Sequence, residues 1–154
     1  MNIKALIISI LIPQTAGILG SIFTSSNIEG WYKRLNKPIF TPPNWVFGPA
    51  WFILFLLMGI SLYLVYMSDT SDYRKMFFIF FFIQLFLNFL WNILFFGLHN
   101  PLLGLIEIIV LIITVGITTY YAFKVNPTSG YLLTPYILWL FFATALNSGI
   151  FVLN

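Results

Sequence analysis

The chain has 154 residues, of which 60% are hydrophobic, 20% aromatic and 7% charged, with a formal net charge of +3. A water-soluble domain carries about 25% charged residues, so this composition excludes a soluble globular protein and describes an integral membrane protein. Cysteine is absent, His99 is the single histidine and no basic run exceeds two residues, which excludes disulfides, thiol chemistry, a multi-histidine metal site and a nucleic-acid patch.

The first span is predicted over 4–25. Its start, "MNIKALIISILIPQTAG", imitates a signal peptide, but the apolar run continues through Ile22, long enough to cross a bilayer, and no soluble domain follows. Two rows of small residues, Ala16, Gly20, Thr24 and Gly17, Ser21, suit close helix contact, within the molecule or along a dimer seam. An ordered loop over 26–43 leads to a second span over 44–67. The polar stretch "SDTSDYRK" separates it from a third span over 76–97. The hairpin "LHNP" leads to a fourth span over 101–123, and "KVNPTSG" turns it into a fifth over 131–153. Backbone groups in lipid must be satisfied internally, so the expected fold is all-α, a single domain of five transmembrane helices.

Five spans place the termini on opposite sides. The N-terminal side, side A, carries Lys4, Arg74, Lys75 and Lys124; side B carries Lys33, Arg34 and Lys37. Four against three does not decide orientation.

Polar groups within the spans are costly, so their positions are informative. Gln84, Asn88, Trp91, Asn92 and Phe95 share one face of span three, and Trp139, Ala143, Leu146 and Asn147 one face of span five. At ~1.5 Å per residue, Asn88 lies ~15 Å, and Asn147 and Glu107 ~9 Å, from side B. Trp51 is similarly shallow. The pattern predicts a cavity in the side-B half, lined by aromatics and a few amides. Each amide could equally be interhelical glue. Glu107 is placed to reach Lys33, Arg34 or Lys37, or to be kept neutral. Asn88 and Asn147 are expected to bond a ligand, water or each other. Trp31 and Trp45 fit an interfacial belt; Trp139 is too deep for one. No paired carboxylates, activated nucleophile or phosphate loop is present, which excludes conventional hydrolytic and phosphoryl chemistry.

The segment "WYKRLNKPIFTPPNWVFGPAW" (31–51) concentrates three tryptophans, four prolines and three basic residues. Pro38, Pro42, Pro43 and Pro49 forbid a regular helix across it and stiffen it. It is read as a lid over the cavity, or else an interfacial anchor, with Asn44 as a candidate cap of the second helix.

These residues carry a resemblance. The 31–51 segment, then "MGISLYLVY", "LNFLWNILFFG" and "PYILWLFFATALN", in order over nearly the whole chain, resemble the translocator protein family, the tryptophan-rich sensory proteins once called peripheral benzodiazepine receptors. The resemblance implies five helices, frequent dimers, and binding of porphyrins and other flat hydrophobic ligands. Some members are credited with light- and oxygen-dependent porphyrin breakdown. By motif it implies a pocket of Tyr32, Pro42, Trp51, Phe55 and Asn88, together with Phe89, Trp139, Ala143, Leu146 and Asn147; Glu107 also matches the family pattern. The animal members end in a basic cholesterol motif. The tail "SGIFVLN" has no basic residue, so sterol binding is not implied and a bacterial cell-membrane protein is expected.

The reading is a membrane receptor for porphyrins such as protoporphyrin IX or haem, with no intrinsic cofactor, no metal and a homodimer expected through the phenylalanine-rich third span (Phe77, Phe78, Phe80, Phe81, Phe82). Two alternatives stay open. One is a photo-oxidative degrader using Trp51 and Trp139 around a flat ligand; the other is a porphyrin transporter.

Overall fold

The structure, a computed structural model, describes residues 1–154. Five long helices account for the fold, and there is no strand: α1 (Ile3–Asn27), α2 (Phe47–Tyr66), α3 (Asp72–Asn92, continued by five π-helical residues, Ile93–Gly97), α4 (Pro101–Val125) and α5 (Pro127–Leu153). Each is long and apolar enough to cross a membrane.

Local chemistry explains where they begin. Asn2 accepts from the N–H of Ala5 at the start of α1. Ser71 accepts from the N–H of Arg74, so α3 starts at Asp72 rather than near 76. The Arg74 guanidinium then donates to the carbonyls of Val65 and Tyr66, at 3.1 and 2.8 Å, at the C-terminal end of α2. Asn126 accepts from Thr128 N–H with Pro127 in the first turn, so α5 starts four residues before the predicted 131. In both cases a capping side chain makes helix of what reads as a polar connector. Asn44 does not cap α2. It opens a 3₁₀ turn (Asn44–Val46) that closes on the carbonyl of Pro43, where Val46 N–H donates at 3.0 Å. Between α3 and α4 the chain reverses at His99, whose φ of 53° lies in the left-handed region. Asn100 then caps α4, with Pro101 in its first turn.

The packing partners place the helices in the circular order α1–α2–α5–α4–α3. The side-A half is solid. Met58, Val65, Phe77, Phe81, Ala122 and Leu133 are essentially fully buried there. Ser61 and Ser129 exchange hydroxyl–carbonyl bonds at 3.1 Å between α2 and α5. The small residues of α1 serve packing inside the molecule. A Cβ on Gly59 of α2 would lie 2.5 Å from Ile10 Cα and 2.9 Å from the Ser9 carbonyl, and one on Gly20 would lie 2.7 Å from the Asn92 amide. The dense phenylalanine run of α3 is also largely consumed intramolecularly. Phe77 and Phe81 are in the core and Phe80 stacks on Tyr121; of the five, Phe82 alone is strongly exposed.

The Gly59 contact is backbone against backbone, so no side chain can rotate away from an added methyl. Gly59→Ala is expected to destabilise by about 1–3 kcal/mol, the usual range for overpacking, seen as a lower thermal midpoint in detergent. Gly116→Ala, at a position inside α4 with open space around its Cβ, is the matched control and should leave the midpoint unchanged or raise it, because alanine is the better helix former.

Candidate ligand cavity

The solid core stops halfway. Above it, in the side-B half, the helices surround a cavity of about 370 Å³, within the size range of small-molecule sites. Gly17, Ser21 and Thr24 of α1, Trp51 and Phe55 of α2, and Asn88, Trp91 and Asn92 of α3 form its walls. Trp139, Ala143, Leu146 and Asn147 of α5 complete them. Ile108 and Leu111 of α4 lie at its back, and Tyr32 roofs it.

Each amide has at least one protein partner. Asn88 Nδ2 donates to the Tyr136 hydroxyl at 2.8 Å, joining α3 to α5. Asn92 Oδ1 accepts from Thr24 at 2.9 Å, joining α3 to α1. Asn147 Oδ1 accepts from Trp91 Nε1 at 3.2 Å while its Nδ2 donates to the Pro101 carbonyl at 2.8 Å, joining α5 to α3 and α4. Asn88 and Asn147 thus face inward but do not bond each other: Asn88 bonds Tyr136 of α5, and Asn147 bonds Trp91 of α3 and the Pro101 carbonyl of α4.

Trp51 and Trp139 meet edge to face, their ring centroids 6.3 Å apart at 83°. A flat molecule cannot be sandwiched between rings already in contact; it would lie against the pair. Trp139 Nε1 is buried without a hydrogen-bond partner. Trp51 is stacked on Phe55 at 5.5 Å, and Trp91 on Phe95 at 4.8 Å.

The 31–43 segment closes the roof. Tyr32 is 6% exposed and packs on Phe95 and Phe96. Burial raises its phenol above the ordinary tyrosine value, so it is uncharged at neutral pH. Trp31 stacks on His99 at 4.7 Å, and the His99 ring is in turn 2.6 Å from Asn27 Oδ1. Asn36 and Asn154 bind reciprocally: Asn36 N–H donates to Asn154 Oδ1 at 3.0 Å, and Asn154 Nδ2 to the Asn36 carbonyl at 2.8 Å. Pro38 fills the space above Gly149. The cavity instead meets the lipid sideways, between α1 and α2, where Ile18 and Phe52 both line it and are 65% and 59% exposed.

Glu107 does not reach the lid. It is 6% exposed and neither carboxyl oxygen has a partner. Lys33 instead pairs with Glu29 at 3.1 Å, and Lys37 donates to the carbonyls of Lys33 and Leu35 while lying over the Tyr32 ring. Both partners of the Lys33–Glu29 pair are exposed, so it adds little stability.

Of the expected pocket residues, Tyr32, Trp51, Phe55, Asn88, Trp139, Ala143, Leu146 and Asn147 line the cavity. Pro42 and Phe89 do not. Pro42 follows the Pro38–Thr41 turn of the lid, and Phe89 lies edge-on to Phe23 at 6.1 Å. Sequence reasoning missed the contribution of α1, chiefly Gln14, Gly17, Ser21 and Thr24. The row of small residues was the available signal, since small side chains also leave room for a ligand. Trp91 and Asn92 share the face of Asn88 and belong to the same wall.

Fold and site together define a multi-pass integral membrane protein with an aromatic-lined cavity inside one half of the bilayer. Comparison with known proteins agrees. The model of the TspO/MBR family matches residues 9–153. The chain is 48% identical to the tryptophan-rich protein TspO of Archaeoglobus fulgidus over 155 residues, covering 100% of this chain and 99% of that one. It is 37% identical to the tryptophan-rich protein TspO of Chlorobaculum tepidum, covering 99% and 98%, and 33% identical to the human translocator protein, covering 89% and 82%. The chain belongs to the TspO/MBR family.

The Asn36–Asn154 pair is the strap between lid and α5. Asn154→Ala should accelerate amide exchange within 31–43 while leaving the helical cores of α3 and α4 unchanged. Hydrogen exchange read by mass spectrometry measures both in one experiment.

Proposed function

We propose that the protein is a membrane receptor for porphyrins and similarly flat, hydrophobic molecules in a bacterial cell membrane. The observation that carries this reading is the cavity itself: enclosed by indole and phenyl rings, roofed by an ordered lid, and lined by amides that already have protein partners. Such a wall offers stacking and apolar contact over a broad flat area, with aromatic contacts worth about 0.5–1.5 kcal/mol each beyond area burial. The mouth between α1 and α2 suits a ligand that partitions into the bilayer. The core below the cavity is filled by large side chains, which favours a receptor over a transporter.

Titration with protoporphyrin IX in the dark, followed by tryptophan quenching, is expected to give saturable binding at one molecule per chain. Ala143→Phe, placing a ring in the cavity, should weaken binding at least about tenfold, roughly 1.4 kcal/mol or more, with an unchanged thermal midpoint. Undiminished binding in that variant would move the ligand elsewhere.

The contact between Trp51 and Trp139, with a free indole N–H, supports a second reading: illuminated porphyrin oxidises an adjacent indole, with oxygen as terminal oxidant. Trp51→Phe with Trp139→Phe should then keep dark affinity within a few-fold and abolish the illuminated product. Persistence of product would leave binding alone.

The homodimer is a proposal of the same kind. Ile79, Ile83 and Phe86 form an exposed stripe on α3 at helical spacing. Single cysteines there should cross-link between chains in lipid, whereas cysteines at Phe77 or Phe81, which are core positions, should not.

A further inference from the structure

A second concavity lies at the opposite end of the molecule and has no connection with the porphyrin reading. Near side B, α1 touches α3 through Gly20, Thr24 and Asn92. Towards side A the two helices part, and a groove of about 350 Å³ opens between them. Leu62 and Tyr66 of α2 line it together with Ile8 and Ile12 of α1 and Phe78 and Phe82 of α3. Its outer walls face the hydrocarbon: Ile8 and Phe82 are about half exposed. From Asn2 to Ile12 it runs ten residues along α1, ~15 Å, which is the depth of one leaflet of a ~30 Å hydrocarbon core.

The groove is polar chiefly at its side-A end, the Ser9 hydroxyl being the one polar side chain further in. Asn2, Lys4 and Tyr66 stand at the membrane surface and apolar side chains continue inward. The Lys4 ammonium forms no ion pair, the protein's single ion pair being Lys33–Glu29 on the other side. Arg74 lies over the rings of Tyr66 and Phe78, both of which line the groove, at 5.7 and 5.4 Å. Side A as a whole carries Lys4, Arg74, Lys75 and Lys124 against Asp69 and Asp72. The groove therefore has a cationic mouth and an apolar channel one leaflet deep.

We propose that this groove is a binding site for one anionic glycerophospholipid of the side-A leaflet. Its headgroup phosphate meets Lys4 with Arg74 beside it, and one acyl chain lies along Ile8, Ile12, Leu62 and Phe82. The lipid fills the wedge that the divergence of α1 from α3 leaves open, so it also supports the lower half of α1, the helix whose upper half is a wall of the cavity.

The test uses the full chain in detergent, with dioleoylphosphatidylglycerol and dioleoylphosphatidylcholine as probes, and retained lipid read by native mass spectrometry. Wild type should retain one phosphatidylglycerol per chain in preference to phosphatidylcholine. Lys4→Gln, an exposed change that leaves the packing intact, should lower phosphatidylglycerol affinity about five-fold, the factor for about 1 kcal/mol per basic residue at an anionic surface, and leave phosphatidylcholine unaffected. Ile8→Trp, which fills the groove from its lipid face, should remove retention of both. Lys124→Gln, on the same side but outside the groove, should change nothing. Equal retention of the two lipids by wild type, or unchanged selectivity in Lys4→Gln, would overturn the proposal. So would high-yield cross-linking between chains through Ile8→Cys, which would make a second copy the occupant.

Discussion

A polar group in hydrocarbon has no water to fall back on, and the cavity rests on that constraint. Asn88, Asn92 and Asn147 would each leave donors and acceptors stranded, at about 1–3 kcal/mol per unmet group, unless other helices met them at fixed positions. Each is met: Asn88 by Tyr136, Asn92 by Thr24, Asn147 by Trp91 and the Pro101 carbonyl. These bonds tie α1, α3, α4 and α5 together around the cavity. Packing alone would favour closing the gap; the amides hold the walls at a distance set by side-chain length.

The other features follow from where those ties sit. All of them lie in the side-B half, while the side-A half is held by interlocked apolar side chains and by backbone contact at Gly59. The molecule is therefore a solid base beneath a braced chamber. The lid completes the chamber through several modest contacts, namely the Trp31–His99 stack, the Asn36–Asn154 pair and Pro38 over Gly149. These contacts are fewer than those within the helix bundle and two of the three lie at the surface, so the roof can loosen while the walls stand. Helix α1 serves both halves: its small residues give close packing on α2 and α3 and leave space beside the cavity.

Much of this was legible in the sequence, because helical periodicity is a local property. Five spans, the shared face of Gln84, Asn88, Trp91 and Asn92, the matching face on α5, and the depth of the amides follow from spacing alone. Periodicity assigns a face, however, and not the helix it meets. That Asn88 is paired with Tyr136 rather than Asn147, or that Trp51 touches Trp139, depends on helix order and rotation, which no single span encodes. Depth alone leaves Glu107 two fates, a lid lysine or burial without a charged partner, and the structure shows the second, because the lid lysines have acceptors in Glu29 and in the carbonyls of Lys33 and Leu35. Pro42 and Phe89 lie within the right segments but do not line the cavity, Phe89 packing on Phe23 instead, since a motif resemblance carries position without orientation.

The central claim is that the chamber is braced before any ligand arrives, with the amides acting as struts rather than as ligand contacts. A structure of the protein with protoporphyrin IX tests this most directly. The account predicts the macrocycle against the Trp51–Trp139 pair beneath Tyr32, with the Asn88–Tyr136 and Trp91–Asn147 bonds intact and the spacing of α3 and α5 unchanged. A bound structure in which either asparagine has left its protein partner to bond the porphyrin, or in which the walls have moved apart to admit it, would contradict the account.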